Sequence, residues 1–241
     1  MFKLIKLTFG IVLLSLLFVS CNDDADDPVV ITVDDAAEYV AASMAIATYG
    51  AVNNMNYVSE QIVELVECGG SQSDTRTETA NNGDITVNFT INEEYSLACN
   101  EGSEVIDYEF TGNQTTDSER LDTDNEISAD WTISGAESSS TALTYNGTYK
   151  REGDWTYDFE DNRTDNVISS FVYSDVKANK SDGIIFSGTS TFSLVGTSNV
   201  YEPFNYEGTI TFQEDNTCIA TFSTGEQYLI DLNTGDVTPI Q

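Results

Sequence analysis

The stretch ITVNFTINEEYSLAC, residues 85–99, sets the period on which the rest of the chain is built. Ile85, Val87, Phe89 and Ile91 alternate with Thr86, Asn88 and Thr90, so every second side chain is apolar. A two-residue repeat places those side chains on one face of a strand and the polar ones on the other. Asn92-Glu93-Glu94 breaks the pattern and reads as a short turn, after which Tyr95, Leu97 and Cys99 resume it.

The same alternation continues to the carboxyl end. It runs through Ile106-Tyr108-Phe110, Ile127-Ala129-Trp131-Ile133, Leu143-Tyr145, Trp155-Tyr157-Phe159 and Phe171-Tyr173. Ile184-Phe186, Ile210-Phe212, Cys218-Ala220-Phe222 and Tyr228-Ile230-Leu232 complete the series. Polar turns, such as EDNRTDN at 160–166 and Gly235-Asp236, separate the runs. About ten to twelve strands joined by short polar links predict an antiparallel meander rather than parallel βαβ units. Twist accumulates from strand to strand, so a sheet of this width should curl. An aromatic-x-Gly-Thr echo recurs at Tyr145, Phe186 and Tyr206. In each, the glycine shares a face with the ring and leaves room for a neighbouring strand's side chain.

Upstream, the period lengthens. Val40, Met44, Ala47, Ala51, Met55, Val58, Ile62 and Leu65 recur at steps of three or four, one apolar helical face extending to about Glu67. Asp34 or Asp35 can cap its start, and Gly50 with Asn53-Asn54 predicts a kink into two helices. GGSQSDTRTETANNG, residues 69–83, has no apolar period and reads as a loop. The fold class is therefore α+β, a large curved antiparallel sheet covered by an N-terminal helix or kinked helix pair. Its boundaries are 1–20, 21–33 and 34–241: a leader, a tether and a single domain.

The chain has four cysteines. Cys68 ends the helical region and Cys99 ends an early strand, which makes them the preferred disulfide, with Cys99–Cys218 left open. Cys218 lies in phase with Ala220 and Phe222 and reads as a buried free thiol. Histidine is absent, which removes Ser-His-Asp and Cys-His nucleophiles and His-ligated zinc together. No P-loop, GxSxG elbow, CxxC or dinucleotide fingerprint occurs. Paired carboxylates suffice for glycoside hydrolysis, but with 41 acids their presence singles out none.

No cofactor is expected. Asp122, Asp124, Glu126, Ser128 and Asp130 alternate oxygen ligands as a calcium loop would, although strand alternation alone gives the same spacing. Tyr145, Trp155, Tyr157, Tyr173 and Tyr206 are candidates for a ligand-binding cup; 26 aromatics over this many strands also suit an ordinary core.

The amino terminus carries an address. Lys3 and Lys6 precede a mostly apolar run over 8–19 that ends Leu17-Phe18-Val19-Ser20-Cys21. It resembles the lipobox signal of bacterial lipoproteins, with Phe18 where that family prefers leucine. The resemblance implies cleavage before Cys21 and acylation of its thiol and amine, an anchor that several acyl chains make effectively stable. Asn22-Asp23-Asp24-Ala25-Asp26-Asp27 is similar to the acidic export signal of surface lipoproteins in the Bacteroidota.

Removing residues 1–20 takes two lysines and no acid, leaving 7 basic and 41 acidic residues, a formal charge of −34. Such charge argues against nucleic acid and anionic membrane surfaces as partners. The expectation is a non-catalytic, lipid-anchored protein at the cell surface of the outer membrane that binds an extracellular ligand or envelope partner. A half-barrel carrier of lipid or lipoprotein is the alternative, and an enzyme acting on polysaccharide the third reading. A carrier requires an apolar cavity between helix and sheet; a surface binder would expose an aromatic patch.

Overall fold

The computed structural model describes residues 30–62, 67–82, 85–100, 102–118, 121–157 and 163–240. The leader, Cys21, the aspartates of 23–27, Leu65 and Phe159 lie outside them.

Eleven antiparallel strands form one open sheet in strict sequence order. They are β1 (Ser71–Asn82), β2 (Ile85–Asn100), β3 (Ser103–Ser118), β4 (Leu121–Ser134), β5 (Ala142–Tyr157) and β6 (Arg163–Asn179). Then come β7 (Ile185–Ser198), β8 (Phe204–Gln213), β9 (Thr217–Phe222), β10 (Gln227–Asp231) and β11 (Val237–Ile240). The helical segment comprises α1 (Val33–Met44), α2 (Ala51–Tyr57) and a wide turn, Val58–Ile62. It packs on the inner face, where alternate residues of every long strand are buried. None of the described helices is long and apolar enough to cross a membrane.

Three local expectations change. Residues 71–82 are a strand, not a loop, paired along their whole length with β2. This edge strand has few apolar residues because polar pairs hold it: Thr75 donates to Asn92 at 2.9 Å and Thr79 to Asn88 at 2.7 Å. β2 is a single 16-residue strand with no turn at 92–94. Glu93 stays in phase and is 1% exposed, accepting from the hydroxyls of Tyr57 at 3.0 Å and Tyr108 at 2.7 Å. The helix cap is Thr32, whose hydroxyl accepts from the Asp35 amide at 3.2 Å while Asp35 accepts from the Thr32 amide at 3.0 Å. Asp35 is thus the reciprocal member of a capping box.

Glycines on the inner face let rings from flanking strands meet. Trp131, Gly147 and Tyr173 lie in one row, and the two rings are 6.4 Å apart across the glycine. Phe192 and Phe222 meet at 5.1 Å over Gly208, where an added Cβ would lie 2.6 Å from the Phe192 ring.

Cys68 is bonded to Cys99, with Cα atoms 5.5 Å apart, and Cys218 is a buried free thiol that burial holds strongly protonated. The disulfide closes 31 residues of chain and ties the helical segment to the end of β2. A Cys68→Ser/Cys99→Ser double variant should unfold in urea with about 3–4 kcal/mol less stability on the chain-entropy model.

Buried phenols give the fold an alkaline limit. Burial raises Tyr149 to about 12, and burial reinforced by the Glu93 carboxylate raises Tyr57 to about 12. Tyr39 and Tyr108 are pushed higher still by burial. Each keeps its proton to higher pH in the fold than in the unfolded chain, where tyrosine titrates near pH ~10. Their contribution is complete below about pH 10 and is lost as pH rises through about 12 for Tyr57 and Tyr149, and at higher pH for Tyr39 and Tyr108. Ionisation of these four tyrosines, followed by absorbance, should therefore coincide with cooperative unfolding rather than precede it.

Candidate functional site

Where the strands end beside α1, the inner face opens into a cleft of about 470 Å³. Glu38, Tyr39 and Ala42 of α1 form one wall, with Thr48 of the α1–α2 connection. Ile85, Leu121, Trp155 and Tyr157, at the ends of β2, β4 and β5, form the second. Gly235, Asp236 and Val237 close the third side, so early and late strands of the curled sheet share one site. Sequence locally explains this junction. Gly50 ends the turn after α1, and the amides of Ile46 and Ala47 donate to Leu232 and Asn233 at 2.8 and 3.0 Å. Those bonds hold the connection against the end of β10. Grooves of similar size, around Glu94 and Glu109 and around Thr191 and Thr209, are troughs on the outer face of the sheet.

Below the cleft lies a polar island in the inner face. In register, Thr116, Thr123 and Trp155 form one row, Gln114, Asn125 and Gly153 the next, and Ile127, Arg151 and Ser169 the third. Gln114, Asn125, Arg151 and Ser169 are each 1% exposed. Two bonds join the island to the cleft wall: Gln114 Nε2 donates to the Thr48 carbonyl at 2.7 Å and Arg151 Nη1 to the Ala42 carbonyl at 2.9 Å. Ala42 is in the last turn of α1, so the guanidinium meets the negative end of its dipole at a carbonyl that also accepts from Thr48 Oγ1 at 2.6 Å. Arg151 Nη2 reaches Thr123 Oγ1 at 3.3 Å, and its guanidinium carbon lies 4.8 Å from the Trp155 ring centroid across Gly153. Burial pulls its pKa down. No acid pairs with Arg151 among the described residues.

Seven buried polar atoms of the island have no hydrogen-bond partner among the described residues. They are Gln114 Oε1, Thr116 Oγ1, both amide atoms of Asn125, Arg151 Nε, Trp155 Nε1 and Ser169 Oγ. An unmet buried group costs about 1–3 kcal/mol. Seven would rival the ~5–15 kcal/mol that holds a whole domain together. The island is therefore hydrated or liganded in solution.

A second buried cluster seats α1. Asp165 Oδ2 accepts from Arg163 Nε at 2.7 Å and from the Tyr39 hydroxyl, while Arg163 Nη2 donates to that hydroxyl at 3.0 Å. Arg163 also stacks between Tyr157 and Tyr201, at 4.4 and 4.6 Å from the ring centroids.

The five aromatic candidates separate. Tyr145, Trp155 and Tyr173 are buried; Tyr145 donates to the Met55 carbonyl at 2.9 Å and Tyr173 packs on Trp131 and Phe171. Tyr157 is half-buried and, with Trp155, lines the cleft. Tyr206, half-buried on β8, donates to the Ile31 carbonyl. Among the described residues the exposed large apolar side chains are all aliphatic, so the outer face carries no aromatic patch. Asp122, Asp124, Glu126 and Asp130 project from the exposed face of β4 at alternate positions and form no metal-type grouping among the described residues. The single grouping of three metal-type ligands among the described residues is Cys68, Cys99 and Glu104, and its sulfurs are taken up by the disulfide.

Sequence reading missed the island, although a signal was present. Gln114 and Thr116 continue the phase of Ile106-Tyr108-Phe110, and Asn125 that of Ile127-Ala129-Trp131. Polar residues in a core phase mark a face that is buried but not dry.

Compared with protein-family models, curated proteins and solved structures, the chain matches none.

Proposed function

We propose that the chain is a lipid-anchored, non-catalytic cell-envelope protein displayed on the outer membrane, holding an extracellular ligand in the cleft beside α1. The cleft carries this reading: about 470 Å³ is within the range for a small-molecule site. Trp155, Tyr157, Leu121 and Val237 supply apolar surface, and Glu38 and Asp236 supply carboxylates. That lining, on a chain of strong negative charge, suits a neutral or cationic ligand such as a sugar unit better than an anionic one. The address rests on Lys3, Lys6, the apolar run, Cys21 and the aspartates after it.

The carrier reading needs an apolar chamber between helices and sheet. Met44, Met55, Tyr108, Trp131 and Tyr145 fill that layer, each fully buried, which favours the cleft.

Three experiments test the proposal. Cys21→Ala should abolish lipid labelling and membrane retention, and protease applied to intact cells should remove the wild-type protein. Unchanged retention refutes the anchor, and survival on intact cells refutes display. Tyr157→Ala should weaken binding of a glycan-panel hit by about 10-fold, the loss of roughly one aromatic contact. Undiminished affinity would place the ligand elsewhere.

A further inference from the structure

We propose that the buried island beneath the cleft is a binding site for a small monovalent anion, a halide or a carboxylate, held at Arg151. This site lies beneath the cleft, shares Trp155 with its wall, and does not depend on what the cleft binds.

Three observations carry it. The guanidinium is 1% exposed and has no carboxylate partner among the described residues, whereas Arg163, the other buried arginine, is paired with Asp165. Water would satisfy its hydrogen bonds but leave its charge unbalanced; the Ala42 carbonyl and the Trp155 ring are dipolar and quadrupolar partners, not counter-ions.

The vacant atoms are also biased towards donors. Arg151 Nε and Trp155 Nε1 can only donate, Asn125 Nδ2 donates, and the hydroxyls of Thr116 and Ser169 can turn to do so. Asn125 has both amide atoms free, so an N–H is available whichever way the amide is oriented.

Finally, the register groups these donors. Asn125 faces Gly153, which has no side chain, and Arg151 and Trp155 flank that glycine on β5. Ser169 is directly opposite Arg151, and Thr116 is diagonal to Asn125. Opposed side chains on one face start about 4.5–5.5 Å apart and diagonal ones about 7–8 Å. One small anion among them can accept from several donors at once; a larger one would have to displace core side chains. The buried acid Asp165 lies across from Trp155 and is paired with Arg163.

The test uses the wild-type mature chain and two probes at fixed ionic strength, sodium bromide and sodium acetate, against the bulky gluconate salt. Saturating bromide or acetate should raise the unfolding midpoint by about 2–4 °C over gluconate. Anomalous diffraction from bromide-soaked crystals should place a peak within hydrogen-bonding distance of Arg151 Nε and Asn125 Nδ2. Stabilisation by acetate but not bromide assigns a carboxylate; both together assign a general small-anion site. Arg151→Met should abolish the difference between the salts. Should that variant not fold, Ser169→Ala should weaken anion dependence at least 3-fold with the fold intact. Equal midpoints in all three salts, or density for water alone with bromide confined to the surface, would overturn the proposal. Neither result would bear on ligand binding in the cleft.

Discussion

Replacing Asp165 with asparagine should destabilise the protein by about 3–5 kcal/mol, because it removes the carboxylate of a buried, hydrogen-bonded ion pair. Asp165 is fully buried and Arg163 is 2% exposed, so neither charge has water to fall back on. The Tyr39 hydroxyl joins both, which makes the cluster a tie between α1 and β6. Loss of the carboxylate therefore loosens the helix from the sheet as well as weakening the ion pairing of Arg163. Urea denaturation measures the effect. An Asp165→Leu/Arg163→Met double variant removes both charges and should recover most of the loss, since a buried ion pair is often no more stable than apolar side chains of similar volume. A double variant as unstable as the single one would show that packing, not charge, holds α1 in place.

Trp131→Ala is expected to be as damaging, at about 3–5 kcal/mol, through the cavity it leaves. Trp131 is fully buried at the centre of the aromatic layer, with ring centroids of Tyr145, Tyr108, Phe110 and Tyr173 at 5.8, 5.9, 5.9 and 6.4 Å. Neighbouring Gly147 cannot be refilled: an added Cβ there would lie 2.0 Å from the Asp130 carbonyl oxygen. Collapse around the cavity is therefore restricted. Trp131→Phe should be far milder, because it keeps most of the ring contacts and removes an indole N–H that has no acceptor. Thermal unfolding of the pair separates the two: a Phe variant as unstable as the Ala variant would mean that the indole N–H is in fact satisfied.

The strands that carry the core were legible because their burial is one-sided. Ile85 to Ile91 and Ile127 to Ile133 show a period of two that no tertiary contact needs to explain. The helices were legible for the same reason at a different period. Where the reading failed, polar side chains were performing structural work. β1 is built from Thr, Ser and Asn that pair across to β2, so hydropathy is silent there. Glu93 lies in a strand's core phase because two tyrosine hydroxyls satisfy it, partners 36 and 15 residues away that a local pattern cannot show. The α1 cap fell two or three positions earlier than the aspartates suggested, because Thr32 and Asp35 act reciprocally.

The candidate site was legible only in part. Trp155 and Tyr157 were recognisable as aromatic, but not that they end at the cleft while Tyr145 and Tyr173 close the core. That distinction depends on where α1 crosses the sheet. The polar island depends on strand register, since Gln114, Asn125, Arg151 and Ser169 are brought together from four strands.

Chemical-shift mapping of the isotope-labelled mature chain, titrated with a soluble glycan panel and with dodecylphosphocholine, tests the central claim most directly. The account predicts saturable shifts confined to Glu38, Ile85, Leu121, Tyr157 and Val237, the walls of the cleft. Shifts confined to the outer face of the sheet, around Glu94, Glu109 or Thr191, would contradict it, as would the core-wide changes expected if α1 lifts to admit an acyl chain.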